Sequence, residues 1–165
     1  MRAFALSALA AFVIDQASKY LVIHVWGLRA GRPMEVLPPW LNFIYGENRG
    51  INFGLFGEGS EASRWALIGL AVIICVAVTV WLMRSRQGVW ARIAAGLLVG
   101  GALANVLDRL LYGYVLDFLN NSAPGLDNPF VYNLADVFIF AGAIGLIVFA
   151  SDKKPQRGGR GQKRQ

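Results

Sequence analysis

With 165 residues the chain is the size of a single domain. Its residues are 56 % hydrophobic and only 16 % charged, with a mean hydropathy of +0.48. That excludes an ordinary soluble protein, in which about a quarter of the residues are charged. The net charge of +6 does not mark a nucleic-acid binder, because residues 151–165 alone carry six Lys/Arg against one Asp. A basic tail behind an apolar run reads as a cytoplasmic anchor. The single cysteine, Cys75, lies inside an apolar run and has no internal disulfide partner; it reads as a small core or lipid-facing residue.

The first apolar segment runs from Ala3 to Trp26. Ala8-Leu9-Ala10 imitates a signal-peptide cleavage site, yet the helical pattern continues far enough to span a bilayer. Asp15 and Lys19 interrupt it at i and i+4, a spacing that lets them pair on one face. The pair reads as an inward-facing structural clamp, since unpaired charges at that depth are costly. His24, without a second ligand, reads as an interfacial residue and a poor metal site. Residues 27–63 hold Pro33, Pro38, Pro39 and many glycines, so no spanning helix fits. LNFIY, GENRG and INFGLF read as strand, turn and strand. The aromatic residues Trp40, Phe43, Tyr45, Phe53 and Phe56 would rest this platform at the membrane interface.

A second span is expected from Trp65 to Leu82, edged by Trp65 and Trp81. The link Arg84-Ser85-Arg86-Gln87-Gly88 is basic and therefore cytoplasmic, which puts residues 27–63 outside. The third span starts at Trp90 and carries Gly96 and Gly100 in the GxxxG spacing of close helix packing. Asn105, Asp108 and Tyr112 share one of its faces, with Arg109 four residues after Asn105. It is expected to run out at the external surface near Asp117. A loop containing Pro124, Asp127 and Pro129 leads to a fourth span, Tyr132 to about Ala150, with Asn133 and Asp136 in its first turn. Asp127 reads as a solvated turn residue. The expected architecture is an all-α membrane protein of four transmembrane helices with a small extracytoplasmic β-hairpin region. Residues 1–150 form one domain, both termini are cytoplasmic, and 151–165 is a basic, disordered cytoplasmic tail.

This topology brings Asp117 and Asp136 to the same, external membrane face. Two carboxylates close together in a partly dry site share a proton. That is the aspartic-protease arrangement, in which the ionised group activates water and the protonated one polarises a carbonyl. The same residues are open to two other readings, a buried carboxyl pair used for packing and a proton-coupled carrier. In the carrier, Asp15, Lys19, Asp108, Arg109 and Asp136 would line a path, although no inverted repeat is visible. Zinc-protease chemistry lacks its HExxH, a serine hydrolase lacks Gly-x-Ser-x-Gly and a nearby histidine, and Cys75 has no base.

Five ordered segments now count together: Asp15-Gln16-Ala17-Ser18-Lys19; Asn48-Arg49-Gly50 with Phe53-Gly54; Gly101-Ala102 through Asn105 to Asp108-Arg109; Val115-Leu116-Asp117-Phe118; and Asn133-Leu134-Ala135-Asp136. In this set the chain resembles the bacterial lipoprotein signal peptidases (signal peptidase II). The resemblance implies four transmembrane helices, an external β-cradle from residues 27–63, and an aspartyl endopeptidase that needs no metal and no cofactor. It assigns the catalytic pair to Asp117 and Asp136, and gives Asn48, Asn105, Asp108, Arg109 and Asn133 roles in lining or bracing the site. Asp15 and Lys19 match the first-helix pair. The implied partners are diacylglyceryl-modified prolipoproteins, cleaved before the lipidated cysteine, and membrane lipid. The expected protein is a monomer in the bacterial cytoplasmic (inner) membrane with no nucleic-acid partner. Ile51 and Asn52 depart from the small residues usual in the family, which leaves a non-catalytic relative that binds lipidated partners as a further reading. Ala104 replaces a common glycine.

Overall fold

The computed structural model describes residues 1–50, 61–125 and 128–150. The expected strand INFGLF, the Ile51-Asn52 departure, Asp127 and the 151–165 tail lie outside the described residues. Helix α1 (Arg2–Tyr20) continues through a π-helical turn, Leu21–Val25. Strands β1 (Met34–Leu37) and β2 (Leu41–Asn48) follow, then α2 (Glu61–Arg84), α3 (Val89–Tyr112), β3 (Val115–Asn120) and α4 (Leu134–Phe149). Among the described residues, three helices are long and apolar enough to cross a membrane: Arg2–Val25, Glu61–Arg84 and Val89–Tyr112. The fourth apolar helix, α4, has 16 residues and is shorter than the span expected from Tyr132 to Ala150.

Two expectations about local structure are corrected. The turn does not begin at Gly46, because Gly46, Glu47 and Asn48 of GENRG continue strand β2. The hairpin partner of β2 is β1, joined to it through Pro38-Pro39-Trp40, and its other neighbour is β3, in a three-stranded antiparallel sheet of order β1-β2-β3. Asp117 therefore does not leave a helix. Helix α3 stops at Tyr112, where Gly113 takes φ +87° and donates its N–H to Arg109 O at 3.1 Å. A left-handed cap of this kind is cheap only for glycine. Arg64 of α2 closes the same helix end, donating Nε to Arg109 O at 2.8 Å and Nη2 to Leu110 O at 3.4 Å. The segment after Gly113, with Tyr114, Val115 and Phe118 favouring a strand, then pairs with β2, with Gly46 opposite Asp117 and Asn48 opposite Val115.

Helix α3 is the axis of the bundle and packs against α1, α2 and α4. Its small residues make this possible on two faces. A Cβ on Gly96 or Gly100 would overlap Phe4, Ser7 or Ala8 of α1, and one on Gly101 would overlap the backbone of Ala135 in α4. Gly142 of α4 returns the close approach against Ala94 and Leu98. The GxxxG spacing thus serves helix packing, as its sequence implied. Gly100→Val is expected to push α1 from α3 and cost ~1–3 kcal/mol by overpacking; thermal unfolding in detergent reads this as a lowered midpoint.

A cluster of Cys75, Leu98, Val99 and Ala102 fills the bundle. A second cluster, Val22, Leu28, Phe43 and Phe118, packs the end of α1 under the sheet, with Phe43 and Phe118 edge to face. Elsewhere the apolar side chains point outward: Ile73 is 66 % and Ile147 83 % exposed. Large apolar surfaces of this kind need a lipid or protein neighbour.

Candidate active site

The chemistry-bearing residues converge where β3 and the start of α4 meet the end of α3. Asn133 is the N-cap of α4 and Asp136 its third residue, and together they form a reciprocal capping box. The Asn133 side-chain oxygen accepts the Asp136 N–H at 2.9 Å, while Asp136 Oδ2 accepts the Asn133 N–H at 3.4 Å. The motif Asn-x-x-Asp thus starts the helix by satisfying two of its orphan amides. It also fixes the Asp136 carboxylate at the positive end of the helix dipole.

Asp117 reaches the same place from the sheet. Its Oδ1 accepts from Asn133 Nδ2 at 2.6 Å, and the side chain of Asn48, at the end of β2, also donates to it. One asparagine thereby touches both halves of the pair, giving its amide N–H to Asp117 and its oxygen to the backbone of Asp136. Asn105 completes the group from α3, donating Nδ2 to Asp136 Oδ1 at 2.9 Å and accepting from Asn133 Nδ2 at 3.2 Å. Asp117 is 3 % exposed. Burial, and next the negative charge of Asp136, push its carboxyl from the ordinary 3.8 up to about 7, against the opposing hydrogen bonds from Asn48 and Asn133.

Asp108 is buried, and its carboxylate meets Lys19 Nζ at 2.6 Å, Gln16 Nε2 at 2.8 Å and the Leu116 N–H at 3.1 Å. Lys19 also meets Asp15 at 2.7 Å, so the expected i, i+4 pair is present and is part of a three-member ion cluster. Arg109 donates to Asn105 O at 3.3 Å and lies within electrostatic reach of Asp136, Asp108 and Asp117. Ala104 is fully buried, and its carbonyl accepts from Gln16 at 3.4 Å.

Sequence reasoning assigned no role to Gln16 or Asn120. Asn120, 1 % exposed, donates to Asn128 O at 2.7 Å and Phe130 O at 2.9 Å, and so fixes the approach to α4. An asparagine at the end of an apolar strand carries no local signal of such a duty. An apolar groove of about 490 Å³ starts at Asp136 and Tyr132 and follows α4 past Val137, Phe140, Ala141 and Ile144. It connects the half-buried Asp136 to the apolar outer surface of the bundle.

The profile of the family described as signal peptidase (SPase) II matches residues 7–151. The lipoprotein signal peptidase of Methylobacterium sp. (strain 4-46) is 39 % identical over 142 residues, covering 86 % of this chain and 84 % of the relative. That of Beijerinckia indica is 40 % identical over 148 residues, covering 88 % and 87 %. A solved bacterial membrane enzyme, 28 % identical, superposes with a TM-score of 0.76 over 92 % of this chain and 94 % of its own. With its sheet, bundle and paired carboxylates in this order, the chain belongs to the signal peptidase II family.

Proposed function

We propose that this chain removes signal peptides from diacylglyceryl-modified prolipoproteins, cleaving before the lipidated cysteine, with Asp117 and Asp136 as the catalytic pair. The observation that carries the reading is the joint grip of Asn133 and Asn105 on two carboxylates at the head of an apolar groove. Asp117, held up to about 7, keeps the shared proton. Asp136, with Asn105 and the helix N-terminus directed at it, takes a proton from water. The resulting hydroxide attacks the scissile carbonyl, whose oxygen accepts a hydrogen bond from protonated Asp117. Collapse of the tetrahedral adduct breaks the C–N bond, and the proton that Asp136 took from water passes to the departing α-amine of the lipidated cysteine. The apolar groove along α4 accommodates the apolar part of the substrate.

Residues 1–150 act as one peptidase unit, and α4 crosses as the fourth span. Its 16 residues reach about 24 Å at 1.5 Å per residue, short of a ~30 Å hydrocarbon core, which local thinning and the apolar approach to the helix make up. Arg2, Arg84, Arg86, Arg92 and the basic residues after Ala150 then share the cytoplasmic side. Both termini are cytoplasmic, and the sheet and dyad lie at the outer face of the bacterial cytoplasmic (inner) membrane. One chain supplies both carboxylates, so the monomer is complete; its partners are the prolipoprotein and membrane lipid. A transport path is disfavoured because Asp15, Lys19 and Asp108 are bonded to one another and to backbone amides. The test is cleavage of a lipidated prolipoprotein by the reconstituted chain, read by product mass. A product beginning at the lipidated cysteine, and none with Asp136→Asn, is expected; undiminished cleavage by Asp136→Asn would sink the dyad.

A further inference from the structure

We infer that Lys19 is a positioning residue that sets the separation of Asp117 and Asp136 through the two carboxylates it bridges; this rests on the dyad reading above. Lys19 is 3 % exposed and all three of its N–H donors have partners: Asp15 Oδ2 at 2.7 Å, Asp108 Oδ2 at 2.6 Å and Asn105 Oδ1 at 3.4 Å. What matters is where those partners reach next. Asp15 Oδ1 accepts the Ala135 N–H at 2.8 Å, and Asp108 Oδ2 accepts the Leu116 N–H at 3.1 Å. Ala135 and Leu116 are the residues immediately before Asp136 and Asp117. One ammonium group therefore holds, through two carboxylates, the backbone one residue ahead of each member of the dyad. Its third donor turns the Asn105 oxygen inward, so that the Asn105 amide nitrogen faces Asp136 at 2.9 Å.

A helix clamp would need none of these outward bonds. Burying two carboxylates and an ammonium gains little over apolar packing of the same volume, so geometry is the better account of the cluster. Asn133 ties the same two residues directly, through Asp117 Oδ1 and the Asp136 N–H. Catalytic groups must be held to about 0.5 Å, and supporting hydrogen bonds are the usual means.

The test compares kcat and KM per folded molecule for Asp15→Asn, Lys19→Met and Lys19→Arg, in the full chain reconstituted in lipid with a lipidated prolipoprotein. Folded protein is counted from thermal unfolding. Asp15→Asn keeps an acceptor for the Ala135 amide and a charge-balanced Lys19–Asp108 pair, so it folds while its tie to Lys19 is cut. It is expected to lower kcat about 10- to 100-fold at unchanged KM, the scale of a misplacement near 1 Å. Lys19→Met is expected to lose at least as much, and Lys19→Arg, which keeps a cation between the carboxylates, to recover most of the rate. Parental kcat per folded molecule in Asp15→Asn overturns the inference, as does an activity loss in all variants that only follows the loss of folded protein. Asp117→Asn and Asp136→Asn run alongside: if they still cleave, the dyad reading has failed. If they are inert while Asp15→Asn is fully active, only the positioning role has.

Discussion

Asp117→Asn is expected to be inactive and yet, at pH 8, more stable than the parent. In the proposed mechanism Asp117 is the acid that polarises the carbonyl, and removing it costs about 10³-fold or more. The gain in stability follows from linkage. In the unfolded chain this carboxyl ionises near its ordinary 3.8, and in the folded chain near about 7. Between those values the folded protein holds a proton that the unfolded chain has released. Stability is therefore highest below about pH 4 and falls as pH rises towards 7. Above that window the folded state carries the full cost of the buried charge, on the order of 4 kcal/mol. Asparagine does not titrate and escapes this cost. Unfolding midpoints at pH 4.5 and pH 8 should show a gain for Asp117→Asn that grows with pH. A difference independent of pH would mean that Asp117 is ionised throughout. In the parent, kcat/KM should decline as pH passes about 7, because the acid form of Asp117 is lost.

The second large effect concerns Asn133, which performs two tasks with one amide. Its oxygen caps α4, and its nitrogen donates to Asp117, Asn105 and Leu116 O. Asn133→Asp preserves the first task, since aspartate caps helices as well as asparagine. It abolishes the second and sets a third negative charge against the pair. A well-formed α4 with cleavage reduced about 10²-fold or more at pH 7.5 is expected. Part of the rate should return at lower pH, when the new carboxyl is protonated and can donate again. Asn133→Ala loses both tasks and should destabilise by about 2–4 kcal/mol, combining a lost cap with unsatisfied buried partners. Helicity by circular dichroism and processing assays separate the two variants. Undiminished cleavage by Asn133→Asp at pH 7.5 would show that the donor role is dispensable.

Much of this site was legible in the sequence because carboxylates are costly in an apolar chain. Asp15 with Lys19, Asp117 and Asp136 stood out on those grounds alone, and the Asn-x-x-Asp spacing marked the head of α4. Strand β3 was not legible. Val115–Asn120 is a short apolar run after a long apolar helix, and periodicity cannot separate strand from helix over so few residues. Gly113 was the available sign, and its meaning depends on the left-handed conformation the fold imposes. The register of β2 was misread for a related reason: Gly46 and Asn48 look like turn residues, but β3 pairs with them and extends the strand. The third member of the Lys19 cluster needed tertiary packing, because Asp108 is 89 residues away.

The sheet joins distant parts of the chain, and this has a consequence for biogenesis. Tyr45 of β2 and Tyr114, just before β3, meet with their hydroxyls 3.2 Å apart although 69 residues separate them. Both intervening helices, α2 and α3, must be made before that pairing forms. Asp117 then waits for α4 to deliver Asp136. A nascent chain halted after α2 holds neither carboxylate, and one halted after β3 holds half a site. With the proposed dyad, proteolytic competence therefore arises only once α4 has joined the sheet and bundle.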